Sequence, residues 1–419
     1  MKFLITKPAQ QADDYEAPGY AGHPVQRKGR RRARLIVPVL VMALAATAVG
    51  TSAARVLPTS TTQCSATNAD LIVPADGTAL FGVNLDWASE TLAEHASKMG
   101  HTPAVAVQFT DFPYDDETWK HTTDAVAQVR AEGGILLLTL EPHAGLDAIS
   151  DEAINRLADD LRAVNDAGTP VIVRFAHEMN GSWYAWGQQP SQYIDVFRKV
   201  AAAVHAKAPG SSMMWAPNYG GGYPLTGGQF VARPGTKDFT ALDTDGDGAL
   251  TMSDDTYAPY FPGDDAVDWV GISLYHWGNQ RPWGNNEITE AGKFQAMLTG
   301  TYSGTAGNDS AIPNFYQVYG VEHGLPVAIP ETSAIYTPSR GGKSELAVKR
   351  AWWRQVFSEE THKEFPQLKM VDWFEWKKYE IEINEEVDWR ASGSTAVSAA
   401  FTADLPEWLR YGNDVQVCR

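Results

Sequence analysis

The feature that most constrains this chain is an alternation. After residue 70, eight short apolar runs are separated by longer amphipathic stretches. The runs are 80–87 (LFGVNLDW), 104–110 (AVAVQFT), 134–142 (GILLLTLEP), 170–178 (PVIVRFAHE), 212–218 (SMMWAPN), 267–276 (VDWVGISLYH), 326–332 (PVAIPET) and 369–376 (KMVDWFEW). Strand-length apolar runs separated by helix-length amphipathic ones predict β/α units around a parallel sheet. Two of the separating stretches, 149–168 and 191–208, end at Gly168 and before Pro209-Gly210, as helices do. Eight such units predict an α/β fold, a closed (β/α)8 TIM barrel, over residues 71–419.

In such a barrel the reactive groups gather at the C-terminal ends of the strands. The predicted strands end in Asn84 and Asp86, Glu141, His177 and Glu178, Asn218, Tyr275 and His276, Glu331, and Glu375. Glu178 and Glu331 close the fourth and seventh runs, on roughly opposite walls, where both can point into one mouth. A carboxyl among rings, as in HEMNGSWYAWG (177–187), is disfavoured in its charged form by desolvation. A protonated acid beside a charged carboxylate is the pair that glycosidic bond cleavage uses. Glu141, Glu375 and Asp86 stay open between structural and substrate-contacting roles.

The stretch RFAHEMNGSWYAWG (174–187) resembles the acid/base signature of glycoside hydrolase family 26. IPETSA resembles that family's nucleophile strand, DWVGISLYH its sixth strand, and WFEWKKYE with DWR (388–390) its eighth. The resemblance covers roughly residues 80–395 and implies a retaining, two-step hydrolase of β-linked polysaccharide, a β-mannan or a mixed-linkage β-glucan. It makes Glu178 the acid/base and Glu331 the nucleophile, with the carboxyls about 5–5.5 Å apart. It implies that His177 and Trp183 line the sugar subsite, that Tyr275 hydrogen-bonds the nucleophile, and that Arg174 helps hold it. Trp373 and Trp376 are alternative aromatic platforms on the eighth strand. Two other readings use the same residues: a transglycosylase acting on the cell's own exopolysaccharide, and a non-catalytic binding protein.

Between the fifth and sixth runs lies DTDGDGALTMSD, residues 243–254. Asp243, Asp245 and Asp247 stand at positions 1, 3 and 5 of an EF-hand-like loop, with Gly248 at 6, Ala249 at 7, Thr251 at 9 and Asp254 at 12. The pattern predicts a structural Ca²⁺ site, with Asp254 replacing the usual Glu. No organic cofactor is implied.

The N-terminus is distinct from the rest. Residues 1–34 carry eight Lys/Arg against three Asp/Glu, a charge of +5, which leaves −22 on the remainder of a chain whose total is −17. Residues 35–54 form an uncharged apolar run just after RKGRRRAR, long enough to span a bilayer, with the basic cluster on the cytoplasmic side. Both a cleaved signal peptide and an uncleaved anchor (35–55) fit, and the long leader favours the anchor. Everything beyond is expected outside the cytoplasm, after a Ser/Thr-rich linker at 56–70. There Cys64 and Cys418 are expected to pair. An acidic body is unsuited to nucleic acid. The oligomeric state is not legible.

Overall fold

The computed structural model describes residues 72–415. The basic tail, the membrane or signal segment, the linker and the Cys64–Cys418 pairing lie outside the described residues. Among the described residues no helix is long and apolar enough to cross a membrane.

The parallel strands are β1 (Ala79–Leu85), β2 (Val105–Asp111), β3 (Ile135–Glu141), β4 (Val171–Phe175), β5 (Ser211–Trp215), β6 (Trp269–Gly271), β7 (Leu274–His276), β8 (Val327–Ala334) and β9 (Leu368–Glu375). They pair in the order β9-β1-β2-β3-β4-β5-β6-β8, and β8 pairs with β9 to close an eight-strand barrel. β6 and β7 are two pieces of the sixth barrel strand, both paired with β8. All eight predicted runs carry a barrel strand.

The helices between strands begin where the sequence offers a cap. On α1 (Leu92–Met99) Thr91 and Glu94 form a reciprocal capping box, and Gly100 closes the helix in the left-handed conformation. Asp115 caps α2 (Asp116–Ala131), and Ser150 caps α3 (Asp151–Asp166). Pro190 opens α4 (Pro190–Lys207). On α3 the buried residues Ile154, Leu157, Ala158, Leu161 and Val164 recur at helical spacing, one apolar stripe laid on the barrel.

Strand parity divides the core in two. Leu80, Val105, Val107, Ile135, Leu137, Ile172, Met214, Trp269 and Met370 fill the barrel interior. Phe81, Val83, Leu136, Leu138, Val173 and Trp373 face the helices. This corrects one expectation. Trp373 is fully buried among Trp353, Phe357 and Phe401, with ring centroids 6.3, 6.3 and 5.1 Å away. It faces the helix layer and cannot serve as a sugar platform.

Two irregularities shape the barrel. Along β8, Ile329 pairs with Val371 but Thr332 pairs with Trp373, so β8 carries one extra residue, a bulge around Pro330-Glu331. Pro330 has no N–H to give the ladder, and a bulge re-aims the side chains at its site. The Asn84 amide holds the Pro330 carbonyl at 2.9 Å. Lower down, Gly82 of β1 lies opposite Asp372 of β9. A Cβ on Gly82 would stand 1.8 Å from Asp372 Oδ1 and 2.8 Å from Val105 Cβ. The glycine makes room for a buried carboxyl in the barrel floor. Gly82→Ala is therefore expected to destabilise the fold by about 1–3 kcal/mol. The measurement is the shift in urea midpoint, and an unchanged midpoint would show that the floor has slack.

Candidate active site

The fourth strand ends in a tight turn that sets Glu178. Ala176 and Glu178 adopt positive φ of 46° and 55°, which non-glycine residues hold only when their surroundings demand it. The Ala176 N–H donates to the Leu140 carbonyl at 2.9 Å and the Glu178 N–H to the Ala216 carbonyl at 2.8 Å. The turn is thus fastened to the strands on either side. Asn180 then clasps the segment after β5. Its Nδ2 donates to the Asn218 carbonyl and its Oδ1 accepts the Asn218 N–H, each at 2.8 Å. Gly181 permits the chain to fold Trp183 back, since a Cβ there would lie 2.2 Å from that ring. The Trp183 indole N–H reaches Glu178 Oε2 at 3.1 Å, and the Trp186 indole donates to the His177 carbonyl at 2.6 Å.

Glu331 sits on the β8 bulge, facing Arg174 of β4. The Arg174 guanidinium is wholly buried and pairs through Nη1 with Glu331 Oε1. Its Nη2 donates to Ser273 Oγ at 3.0 Å. The Tyr275 hydroxyl donates to Glu331 Oε2 at 2.7 Å. Both oxygens of Glu331 are therefore held by donors.

Glu178 is in the opposite condition. Burial first, and the negative charge of Glu331 second, push its carboxyl up to about 8; Arg174 opposes this in part. The site thus sets a carboxyl gripped by a guanidinium and a hydroxyl against one that burial raises. Asp372 below them is also buried, and desolvation raises it well above the usual carboxylate range. One guanidinium faces three carboxyls here, and the charge it supplies goes to the one it touches.

The remaining sequence-named residues are placed as follows. His177 is buried, with ring centroids 5.0 Å from Tyr184 and 5.8 Å from Phe109 and Trp186. Trp376 is half-buried at the mouth and stacks on Phe374 at 6.0 Å. Glu141 is buried at the end of β3, its carboxyl raised by desolvation, with His143 Nε2 3.6 Å away. Glu375 accepts from the Ala391 and Ser392 amides and the Ser392 hydroxyl, which makes it a tether. Asp86 caps its own turn through the Ala88 amide and the Ser89 hydroxyl. His276 is buried against Trp352, and burial lowers it to about 3. The sequence reading did not single out Ser273, Asn180 or His143. Ser273 lies within a predicted strand, and only the third dimension brings it under Arg174.

In the acidic loop, carboxylate oxygens of Asp243, Asp245 and Asp247 lie within 4.8 Å of one another. The Gly248 N–H donates to Asp243 Oδ2 at 3.0 Å, and Asp243 Oδ1 is a buried atom with no hydrogen-bond partner. Three converging carboxylates with one oxygen unsatisfied fit a hard divalent cation. Asp254 is used differently from the expectation of a position-12 ligand. Its Oδ1 accepts the Thr244 amide at 2.6 Å and its Oδ2 the Thr251 amide at 2.8 Å, so it staples the loop. Ala249 donates its N–H to Asp247 Oδ1, and Thr251 Oγ1 accepts from the Ser253 amide.

The contrast between the two glutamates can be measured without any substrate. In carboxyl-¹³C NMR one Glu is expected to titrate with a midpoint near 8, and that signal should vanish in Glu178→Gln. In Glu331→Gln the midpoint should move to lower pH, because a negative charge that opposes ionisation has gone. An upward move would contradict the electrostatic account.

Comparison with known proteins gives a consistent picture. The family model for glycosyl hydrolase family 26 matches residues 83–218, which include Arg174 and Glu178. Endoglucanase H of Acetivibrio thermocellus is 23% identical over 332 residues, 75% of this chain. The alignment covers only 29% of that relative's length. A mannan endo-1,4-beta-mannosidase of Bacillus subtilis is 30% identical over 57 residues, 12% of this chain and 16% of its own. Among solved structures, a Cellulomonas fimi endo-beta-1,4-mannanase double mutant superposes with a TM-score of 0.52 at 17% identity, covering 85% of this chain and 78% of that one. The catalytic domain of the Bacillus sp. JAMB-750 GH26 endo-beta-1,4-mannanase gives 0.51 at 17%, covering 83% and 91%. These two likenesses speak for the fold. Taken with the family-model match over residues 83–218 and the site geometry, they support a likeness to glycoside hydrolase family 26.

Proposed function

We propose that this chain is a retaining endo-acting glycoside hydrolase that cleaves internal β-linkages of a β-mannan or a mixed-linkage β-glucan. The observation that carries the reading is the unequal pair of carboxyls. Glu331 is gripped by Arg174 and Tyr275, while Glu178 is buried and raised. The relatives named as an endoglucanase and a mannan endo-1,4-beta-mannosidase support the substrate class.

In the first step Glu331 attacks the anomeric carbon and the bond to the leaving oxygen breaks, that oxygen taking the proton of Glu178. Glu331 becomes an ester and loses its charge. The influence that helped raise Glu178 then disappears, so Glu178, now ionised, stays ionised and is ready as a base. In the second step it takes a proton from water, the water oxygen bonds to the anomeric carbon, and Glu331 leaves as carboxylate. The positive charge of Arg174, which already opposes the raising of Glu178, favours the ionised base in this state. His177, Trp183 and Trp376 supply ring surface to the sugar, since an apolar sugar face packs on a flat ring. A transglycosylase would use the same two residues with a sugar in place of water.

We propose further that residues 35–54 export or anchor the chain, so that it works outside the cytoplasm, and that the loop 243–254 binds Ca²⁺ there as a structural ion. The support is the basic cluster before an apolar run, and the three converging aspartates.

Reducing-sugar release from glucomannan, galactomannan and barley β-glucan tests the catalytic reading. Activity on one polymer is expected, and Glu331→Ala should lower it by at least about a thousandfold. The first-formed product should be the β-anomer by ¹H NMR; an α-anomer would refute double displacement. As pH rises through about 8 the rate should fall, because a raised acid loses its proton there. For the loop, a chelator is expected to lower Tm by about 5 °C, with the response absent in Asp243→Ala. A Tm indifferent to chelator would remove calcium from the account.

A further inference from the structure

Beyond β9 the chain forms a hairpin, β10 (Lys377–Glu380) with β11 (Glu385–Asp388), and returns at Trp389. Trp389 is 1% exposed, and its ring lies 5.1 Å from Tyr275 in an edge arrangement. Tyr275 is the residue whose hydroxyl holds Glu331 Oε2. Phe374 at 5.7 Å meets Tyr275 edge-on as well, and Trp277 packs on Trp389 at 4.9 Å. The Tyr275 ring is therefore boxed by aromatic neighbours, and Trp389 is the nearest of these.

Trp389 is itself anchored at several points. Its backbone N–H donates to the Trp376 carbonyl at 2.9 Å, and its carbonyl accepts from Ser333 Oγ, two residues beyond Glu331. Its indole N–H donates to Glu380 Oε1 at 2.8 Å. Glu380 is 5% exposed and pairs with Lys378 Nζ at 3.2 Å. A buried indole N–H aimed at a buried carboxylate is a directional bond, and it fixes the ring in both tilt and depth.

We propose that Glu380 is a positioning residue for the nucleophile: through the indole of Trp389 it sets the Tyr275 ring, and through the Tyr275 hydroxyl it orients Glu331. This inference rests on the catalytic reading given above. It gives the hairpin a task in the chemistry although neither of its strands reaches the carboxyl pair. Small displacements of a reacting group cost rate far more than binding, so the effect should fall on kcat.

The test is a double-mutant cycle on the full chain, assayed on whichever polymer the wild type cleaves. Glu380→Ala is expected to lower kcat about tenfold with KM within about twofold. Glu380→Gln keeps an oxygen that accepts from the indole and should restore most of the rate. In a Tyr275→Phe background, Glu380→Ala should cost little more, because the hydroxyl through which it acts has gone. If the tenfold loss appears again in that background, Glu380 acts by another route and the proposal is overturned. An unchanged kcat in Glu380→Ala overturns it too. Should Glu380→Ala not fold, Trp389→Phe, which keeps a ring but removes the indole N–H, enters the same cycle with the same expected and overturning results. An inactive wild type refutes the catalytic reading itself. An active wild type with additive losses refutes only this inference.

Discussion

The structure turns on one buried cation. Arg174 has no exposed surface, and a guanidinium cannot shed its charge in a protein interior. Its burial is tolerable only because Glu331 stands against it and Ser273 accepts its second nitrogen. Leaving one member of such a pair alone costs about 3–5 kcal/mol. The same constraint orders the other acids. Glu178 and Asp372 are buried near a charge already neutralised, so ionising either would add an uncompensated negative charge in a dry place. The raised carboxyl of Glu178 is thus a consequence of one ion pair and its seclusion.

Holding that arrangement requires local departures from regular structure. The β8 bulge brings Glu331 into the mouth, and the left-handed residues Ala176 and Glu178 bring the second carboxyl to meet it. Each departure has a clamp. Asn84 holds the bulge carbonyl, Ala216 and Leu140 hold the turn, and Asn180 binds the turn to the next barrel segment. The regular barrel below, with its alternating inner and outer apolar layers, provides the rigidity against which these clamps work. The hairpin after β9 extends the principle outward, from Glu380 through Trp389 to Tyr275.

The sequence by itself determined the barrel, because each strand is a local apolar run and each helix a local periodic one with its own cap. Gly168 and Pro209-Gly210 mark helix ends in the letters alone, and α3 and α4 stop just before them. Glu178 and Glu331 were legible as well, since a polar residue ending an apolar strand marks the barrel's working face, and HEMNGSWYAWG is a distinctive string. The acidic loop was legible from spacing, although Asp254 serves the backbone amides of Thr244 and Thr251.

What only the tertiary structure decided was direction and partnership. Trp373 and Trp376 are equivalent in the letters, but strand parity sends Trp373 into the helix layer and leaves Trp376 at the mouth. Ser273 acquires meaning only beneath an arginine 99 positions away, and Glu375 is a tether only because Ala391 and Ser392 fold back to it. The bulge at Pro330-Glu331 is a mismatch between two strands, and no single strand can record it. Local patterns set which elements form because their energetics are local. Which carboxyl keeps its proton depends on burial and on charges brought together from distant strands, and those exist only once the barrel has closed.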